Sequence, residues 1–195
     1  QVIYSRGFAS IYGEWETTLE SRGTHRTFHE SLRFPWPKRP VQVVINVRDR
    51  ENKFRKIWSA DIDPNSRFVN PTDRKPRGQV WPIMDNGLSS NKVDLLVMGE
   101  GYPEVQLPKF HADARRLVEA LFAEEPFKSR REDFNVWGLD LPSIDSGVTR
   151  PRAMQFRRTP LSAEYNIFDS ERYLLTYDNR SLRDAASAAP YEFLE

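Results

Sequence analysis

The sequence contains no cysteine, which removes thiol nucleophiles, Cys-ligated zinc, iron–sulfur clusters and disulfide staples from consideration. It has no long hydrophobic run either. The longest, Leu95 to Met98, falls far short of the roughly 20 residues a membrane-spanning helix needs. Neither charge is in excess: 29 Lys and Arg stand against 28 Asp and Glu, so the cationic surplus that a nucleic-acid backbone demands is missing. No basic-then-apolar leader precedes the strand-like Val2-Ile3-Tyr4-Ser5. With Gln1 in first place, a trimmed or processed front is expected.

What is present points to a folded chain. Its 195 residues are 38% hydrophobic and 12% aromatic, unlike a disordered tail. A chain of this length buries roughly 70% of the surface it exposes when unfolded, enough for a core without disulfides.

Up to about Val69 the apolar period is two. Val41, Val43, Ile45 and Val47 alternate with Gln42, Val44, Asn46 and Arg48, which puts one row on the buried side of a strand. A polar turn at Asp49 to Asn52 and a second extended run with Phe54, Ile57, Trp58 and Ile62 make a hairpin. Phe8 to Trp15 and Thr27 to Phe34 read as two more β-rich runs, and Phe34-Pro35-Trp36-Pro37 must be extended or turning. Several short strands with such punctuation predict a β-sandwich-like domain over residues 1–69. Residues 70–92, with Pro71, Pro76, Pro82, Gly78 and Gly87, read as a linker whose middle is anchored by Val80, Trp81, Ile83 and Met84.

Residues 93–195 change to a β-α-β pattern. Val93 to Met98 is apolar on both faces except at Asp94, as expected of a strand covered by helices. Phe110, Ala114, Leu117, Val118, Leu121 and Phe122 keep helical spacing, with Pro108 suited to the first turn. Phe134 to Leu141 supplies the next strand, and the connection suits a parallel crossover. A loop-rich stretch follows, then a strand at Tyr173 to Tyr177 and a short helix at Leu182 to Ala188 opened by Ser181-x-x-Asp184. Tyr191 to Glu195 stands where an α/β layer ordinarily places another strand. The fold class expected is thus a two-domain α+β chain.

Individual residues carry little chemistry. His25 and His29 are four apart, but Arg26 stands where a helical H-E-x-x-H site has its glutamate, and the flanking residues look extended. Four residues along a strand span roughly 13 Å, too far to share one ion. His111 is expected on the polar, solvated side of its helix. Gly99-Glu100-Gly101 follows a strand yet lacks a third glycine, and Pro103 disrupts a helix start, so a tight turn is expected rather than a dinucleotide loop. Ser146-Gly147 has no G-x-S-x-G context and no histidine downstream. Asn179-Arg180-Ser181 is a glycosylation triplet by spelling only.

Longer strings add more. Ile3 to Phe8, Tyr12 to Thr18, Arg26 to Pro35, Val93 to Tyr102 and Ser170 to Thr176 together resemble, in order and almost end to end, the bacterial IgA-peptidase family of zinc metallopeptidases. The resemblance implies a secreted or envelope-attached endopeptidase acting on protein substrates, immunoglobulin A in some members. It also implies an N-terminal β-sandwich-like domain and a zincin-like α/β catalytic domain. The family's zinc is held by a helical H-E-x-x-H segment and a further ligand, and that motif is absent from these residues. It is expected beyond Glu195, with the front of the N-terminal domain before Gln1. On this reading the chain supplies no catalytic residue, binds no zinc and cleaves nothing alone. What it would contribute is scaffold and the border of the substrate cleft, for which Tyr165, Asn166, Ser170, Glu171 and Arg172 are the candidates, because loops on rigid frames often carry function. The competing reading is a noncatalytic adhesion or glycan-binding protein in which Trp15, Trp36, Trp58 and Trp81 form a sugar-stacking platform.

Overall fold

The computed structural model describes residues 2–7, 10–28, 34–71 and 77–191, and the backbone of 193 and 194. Its regular elements, in chain order, are α1 (Tyr12–Trp15), β1 (Val41–Arg48), β2 (Phe54–Ile62), β3 (Gln79–Met84), β4 (Val93–Met98), α2 (Leu107–Leu121), β5 (Phe134–Asp140), β6 (Glu164–Tyr165), β7 (Leu174–Leu175), α3 (Asn179–Ala186) and β8 (Phe193–Leu194). The chain is mixed α+β and forms two compact units. The smaller holds the described residues of 1–5 and 32–74, and the larger those of 6–31 and 75–195.

In the smaller unit the period-two pattern forms the expected hairpin: β1 and β2 pair antiparallel from Val41 opposite Ile62 to Arg48 opposite Phe54, with a bulge after Ile45. The Asp49 carboxylate closes the turn by accepting from the N–H groups of Glu51 and Lys53. Among the described residues no second sheet faces this hairpin, so the expected sandwich is not formed by them. The reason lies in Phe8 to Trp15, expected as strand. Its described part turns helical at α1 and belongs to the larger unit, where Trp15 is 5% exposed and packs edge-on against Phe28. Aromatic packing outweighed strand propensity there. Thr27 and Phe28 are not strand, and the rest of that expected run, 29–33, lies outside the described residues.

The larger unit is built on a four-stranded sheet in the order β3-β5-β4-β8. β4 and β5 are parallel neighbours joined through α2, as the β-α-β pattern requires, and β8 adds parallel to β4. β3 runs antiparallel at the edge on β5. This corrects the reading of 70–92 as linker: its apolar middle is a sheet strand, because Val80 and Trp81 alternate into two cores on opposite faces. On one face Leu95 and Val136 pack with Val118 and Phe122 of the helical layer. On the other, Leu96, Leu139 and Leu141 pack with Ala185, Ala186 and Ala189 around α3. A strand covered on both faces explains the unbroken apolar run of β4, and its one exception is satisfied. Buried Asp94 accepts hydrogen bonds from Asn135 Nδ2 at 3.0 Å and Trp137 Nε1 at 2.6 Å.

Helix α3 begins three residues earlier than the spacing suggested. Asp178, not Ser181, is its N-cap, accepting from the Ser181 backbone N–H at 2.9 Å and its hydroxyl at 2.6 Å. The strand expected over Tyr173 to Tyr177 is reduced to the two residues of β7, paired with β6.

Candidate functional site

Open α/β sheets place their sites outside the carboxyl ends of the parallel strands. Here those ends are Gly99 to Tyr102 after β4 and Asp140 to Ser143 after β5. The two segments are clamped together: Gly101 N–H donates to Ser143 Oγ at 3.0 Å, Ser143 N–H to Tyr102 O at 2.9 Å and Gly147 N–H to Gly101 O at 2.8 Å. A side chain at Gly101 would lie 2.6 Å from the Gly147 carbonyl oxygen, and its φ of +80° favours glycine independently. The turn reading of Gly99-Glu100-Gly101 therefore holds.

Glu100 does more than turn the chain. Its carboxylate accepts from the backbone N–H groups of Leu161 at 3.2 Å and Ala163 at 3.0 Å, 61 and 63 residues away. That fastens the loop layer of residues 143–177 to the carboxyl end of β4. A second clasp lies within the layer, where Arg158 donates through its guanidinium to both Asp145 oxygens, at 3.0 and 3.1 Å, and through its backbone N–H at 2.8 Å. These hydrogen bonds lower the Asp145 pKa from 3.8 to about 2. A depressed carboxyl stabilises the fold fully above pH 3.8 and loses that contribution as pH falls through about 2. An NMR titration of the Asp145 carboxyl should accordingly show a midpoint near pH 2, and Arg158→Gln should raise it.

The five residues read from the sequence as a cleft border all lie in this layer. The Tyr165 ring receives the Arg150 guanidinium at 5.0 Å, and its N–H donates to Thr149 O. Asn166 Oδ1 accepts from Arg152 N–H at 3.4 Å. Glu171 meets the Arg152 guanidinium at 3.5 Å, while Ser170 Oγ accepts from Arg172 N–H at 3.2 Å and Ser170 N–H donates to Ile167 O at 3.2 Å. The organising residue is one the sequence reading passed over: Arg152 also donates to the Asp169 carboxylate at 2.6 Å and its carbonyl at 2.7 Å. The proximity of 150–152 to 165–171 had no local signal. Asn166, Phe168 and Asp169 all have positive φ, near 60°, a cost concentrated where the loop is held by Arg152.

The larger unit holds a second group at the end of β5. His111, expected to be solvated, instead stacks on Trp81 with ring centroids 4.2 Å apart, and its Nε2 lies 2.8 Å from Asp140 Oδ1. A carboxylate only accepts, which puts a proton on Nε2. Trp81 Nε1 donates to the same oxygen at 2.8 Å, and Asp140 is 8% exposed. The helix delivers His111 to the sheet because Phe110 packs under Gly99 and Trp81. Next to it the Tyr102 hydroxyl donates to Asp113, which also pairs with Lys109. Burial first, then this bond, raises the tyrosine pKa, while Lys109 lowers that of the aspartate.

These side chains do not fit a zinc ion. His25 is exposed, His111 has its Nε2 directed at Asp140, and no group of three His, Asp or Glu side chains converges among the described residues. His29 lies outside them. No described helix is long and apolar enough to cross a membrane.

Comparison with known families gives two matches in tandem. The model of the IgA peptidase M64 family matches residues 81–195, more than half of the chain, and that of the peptidase M64 N-terminus matches residues 1–59. No curated protein matches.

Proposed function

The chain belongs to the IgA peptidase M64 family, and from that premise we propose that it is the structural part of a zinc endopeptidase, carrying the rim of the substrate cleft while residues outside these 195 hold the metal. Protein chains are the substrate, immunoglobulin A a candidate among them, and the enzyme acts outside the cell or at its envelope. The larger unit, with its parallel β4 and β5, the crossover helix α2 and the antiparallel edge strand β3, is read as the opening of a zincin-like catalytic domain. The observation that carries the cleft reading is the Glu100 clasp. It ties Leu161 and Ala163, the residues leading into Tyr165 to Arg172, to the carboxyl end of β4, the end where this architecture places chemistry, and that supports reading the loop as a cleft border.

No step of peptide hydrolysis is assigned to a side chain of this chain. Its role is orientation: Arg152 draws Asn166, Asp169 and Glu171 into one polar cluster, so that the loop meets a substrate already ordered. In the intact enzyme, Asn166→Ala and Glu171→Ala are expected to lower kcat/KM by roughly tenfold each, with the melting temperature unchanged in Glu171→Ala and slightly lowered in Asn166→Ala, whose left-handed backbone favours Asn over Ala. Steady-state kinetics on a protein substrate checks this. Wild-type kcat/KM in both variants would remove the loop from the cleft.

The adhesion reading is weakened as a four-tryptophan platform. Trp15 and Trp81 are packed inside the larger unit, leaving Trp36 and Trp58 accessible in the smaller.

A further inference from the structure

The smaller unit contains an open groove of about 740 Å³ whose walls are Trp36, Pro37, Lys38, Pro64, Arg67 and Pro71. We propose that this groove binds a carboxylated pyranose, the acidic sugar of a glycan, by stacking on Trp36 and pairing with Lys38 and Arg67. The proposal stands apart from the peptidase reading, since it uses no residue of the larger unit.

Three features of the groove converge on that ligand. Trp36 is 60% exposed between two prolines, a rigid apolar plate held in place at little entropic cost. The opposite wall is a pre-formed turn. Asp63 Oδ1 accepts from Asn65 N–H at 2.9 Å, Ser66 N–H donates to Asp63 O at 3.0 Å, and Val69 N–H donates to Ser66 O at 2.9 Å. Asn65 and Ser66 of this turn line the groove and supply polar groups of the kind sugar hydroxyls require, with Ser66 Oγ also accepting from Phe68 N–H at 3.3 Å.

The charge is one-sided. Lys38 and Arg67 line the groove, no described carboxylate does, and neither cation pairs with one. Arg67 lies over the Phe68 ring at 4.8 Å, which fixes its guanidinium while leaving its N–H edge for a planar anion.

An acidic peptide is the poorer fit. Extended peptides dock by adding to a strand edge, and every lining residue falls outside β1 and β2. A flat aromatic plate with scattered side-chain donors matches a sugar ring instead.

The test is a fluorescence and saturation-transfer NMR titration of the 195-residue chain with 3′-sialyllactose and tetragalacturonate, with lactose as the neutral control. At least one carboxylated probe should bind, roughly tenfold more tightly than lactose. Trp36→Ala should weaken it by roughly tenfold or more, Trp36→Phe by less, and Trp58→Ala on the hairpin not at all. Lys38→Gln and Arg67→Gln should each bring the carboxylated probe toward lactose without changing lactose itself. All variants should melt as the parent does, because each side chain is exposed. Failure of both carboxylated probes to bind, or full binding by a folded Trp36→Ala chain, overturns the proposal. So does hexaglutamate binding as tightly as the sugars in a Trp36-independent way, which would leave only a charge patch.

Discussion

Gly138→Ala should destabilise the larger unit by about 2–4 kcal/mol, because it overpacks the sheet and takes one of two donors from a buried carboxylate at once. A methyl at Gly138 would stand 2.3 Å from Trp81 Cε2 and 2.5 Å from its Cζ2, so the indole must leave. When it moves, Asp140 loses the Trp81 donor and His111 loses the ring it stacks on. Urea unfolding monitored by tryptophan emission measures the effect. Trp81→Phe in the same chain removes the bulk that clashes, so the double variant should lose less than the two singles added together. A loss in Gly138→Ala below about 1 kcal/mol would mean that the indole does not sit over the strand.

Glu100→Ala should release the loop layer while leaving the sheet intact. It strips two buried backbone N–H groups of a charged acceptor, a loss of about 2–4 kcal/mol confined to the segment they belong to. Amide exchange at Leu161 and Ala163 should speed up by roughly a hundredfold, with little change at Leu96 or Leu139 in the sheet. In the intact enzyme the same substitution should lower kcat/KM by more than either Asn166→Ala or Glu171→Ala, since it displaces the whole rim. Unchanged exchange at Leu161 and Ala163 would show that other contacts carry the layer.

Some of this architecture was legible in the residues. The hairpin β1–β2, helix α2, strands β4 and β5 and the parallel crossover between them follow from periods of 2 and 3.6 maintained over long stretches. The larger pattern failed where a short segment takes its conformation from distant partners. Tyr12 to Trp15 has strand-like composition but turns helical so that Trp15 can bury itself against Phe28. Gln79 to Met84 has two prolines and a glycine close by, yet it is a strand because β5 offers it an edge, and an edge tolerates Pro82. Helix α3 is capped at Asp178 because this aspartate, three residues before the apparent serine cap, accepts from the Ser181 N–H, which spacing alone does not reveal.

Of the candidate site only the loop itself was legible, and its place at a substrate cleft is a proposal. Tyr165 to Arg172 stood out as polar residues among aromatics, and all five candidates do lie in one loop layer. Arg152, which gathers that layer, and Glu100, which anchors it, make contacts across 14 to 63 residues of sequence, and no local pattern encodes such pairings. His111 was misread for the same reason. The helical wheel places it beside polar neighbours, but the sheet supplies Trp81 and Asp140 to receive it.

The central claim is that the metal of this peptidase family is gripped by residues outside the 195 described by this sequence. Equilibrium dialysis of the purified chain against zinc, with metal content read by mass spectrometry and a protein substrate assayed in the same samples, tests it most directly. The account predicts no stoichiometric zinc and no cleavage, with the chain folded throughout. One tightly held zinc per chain, or turnover that chelation abolishes, would contradict it.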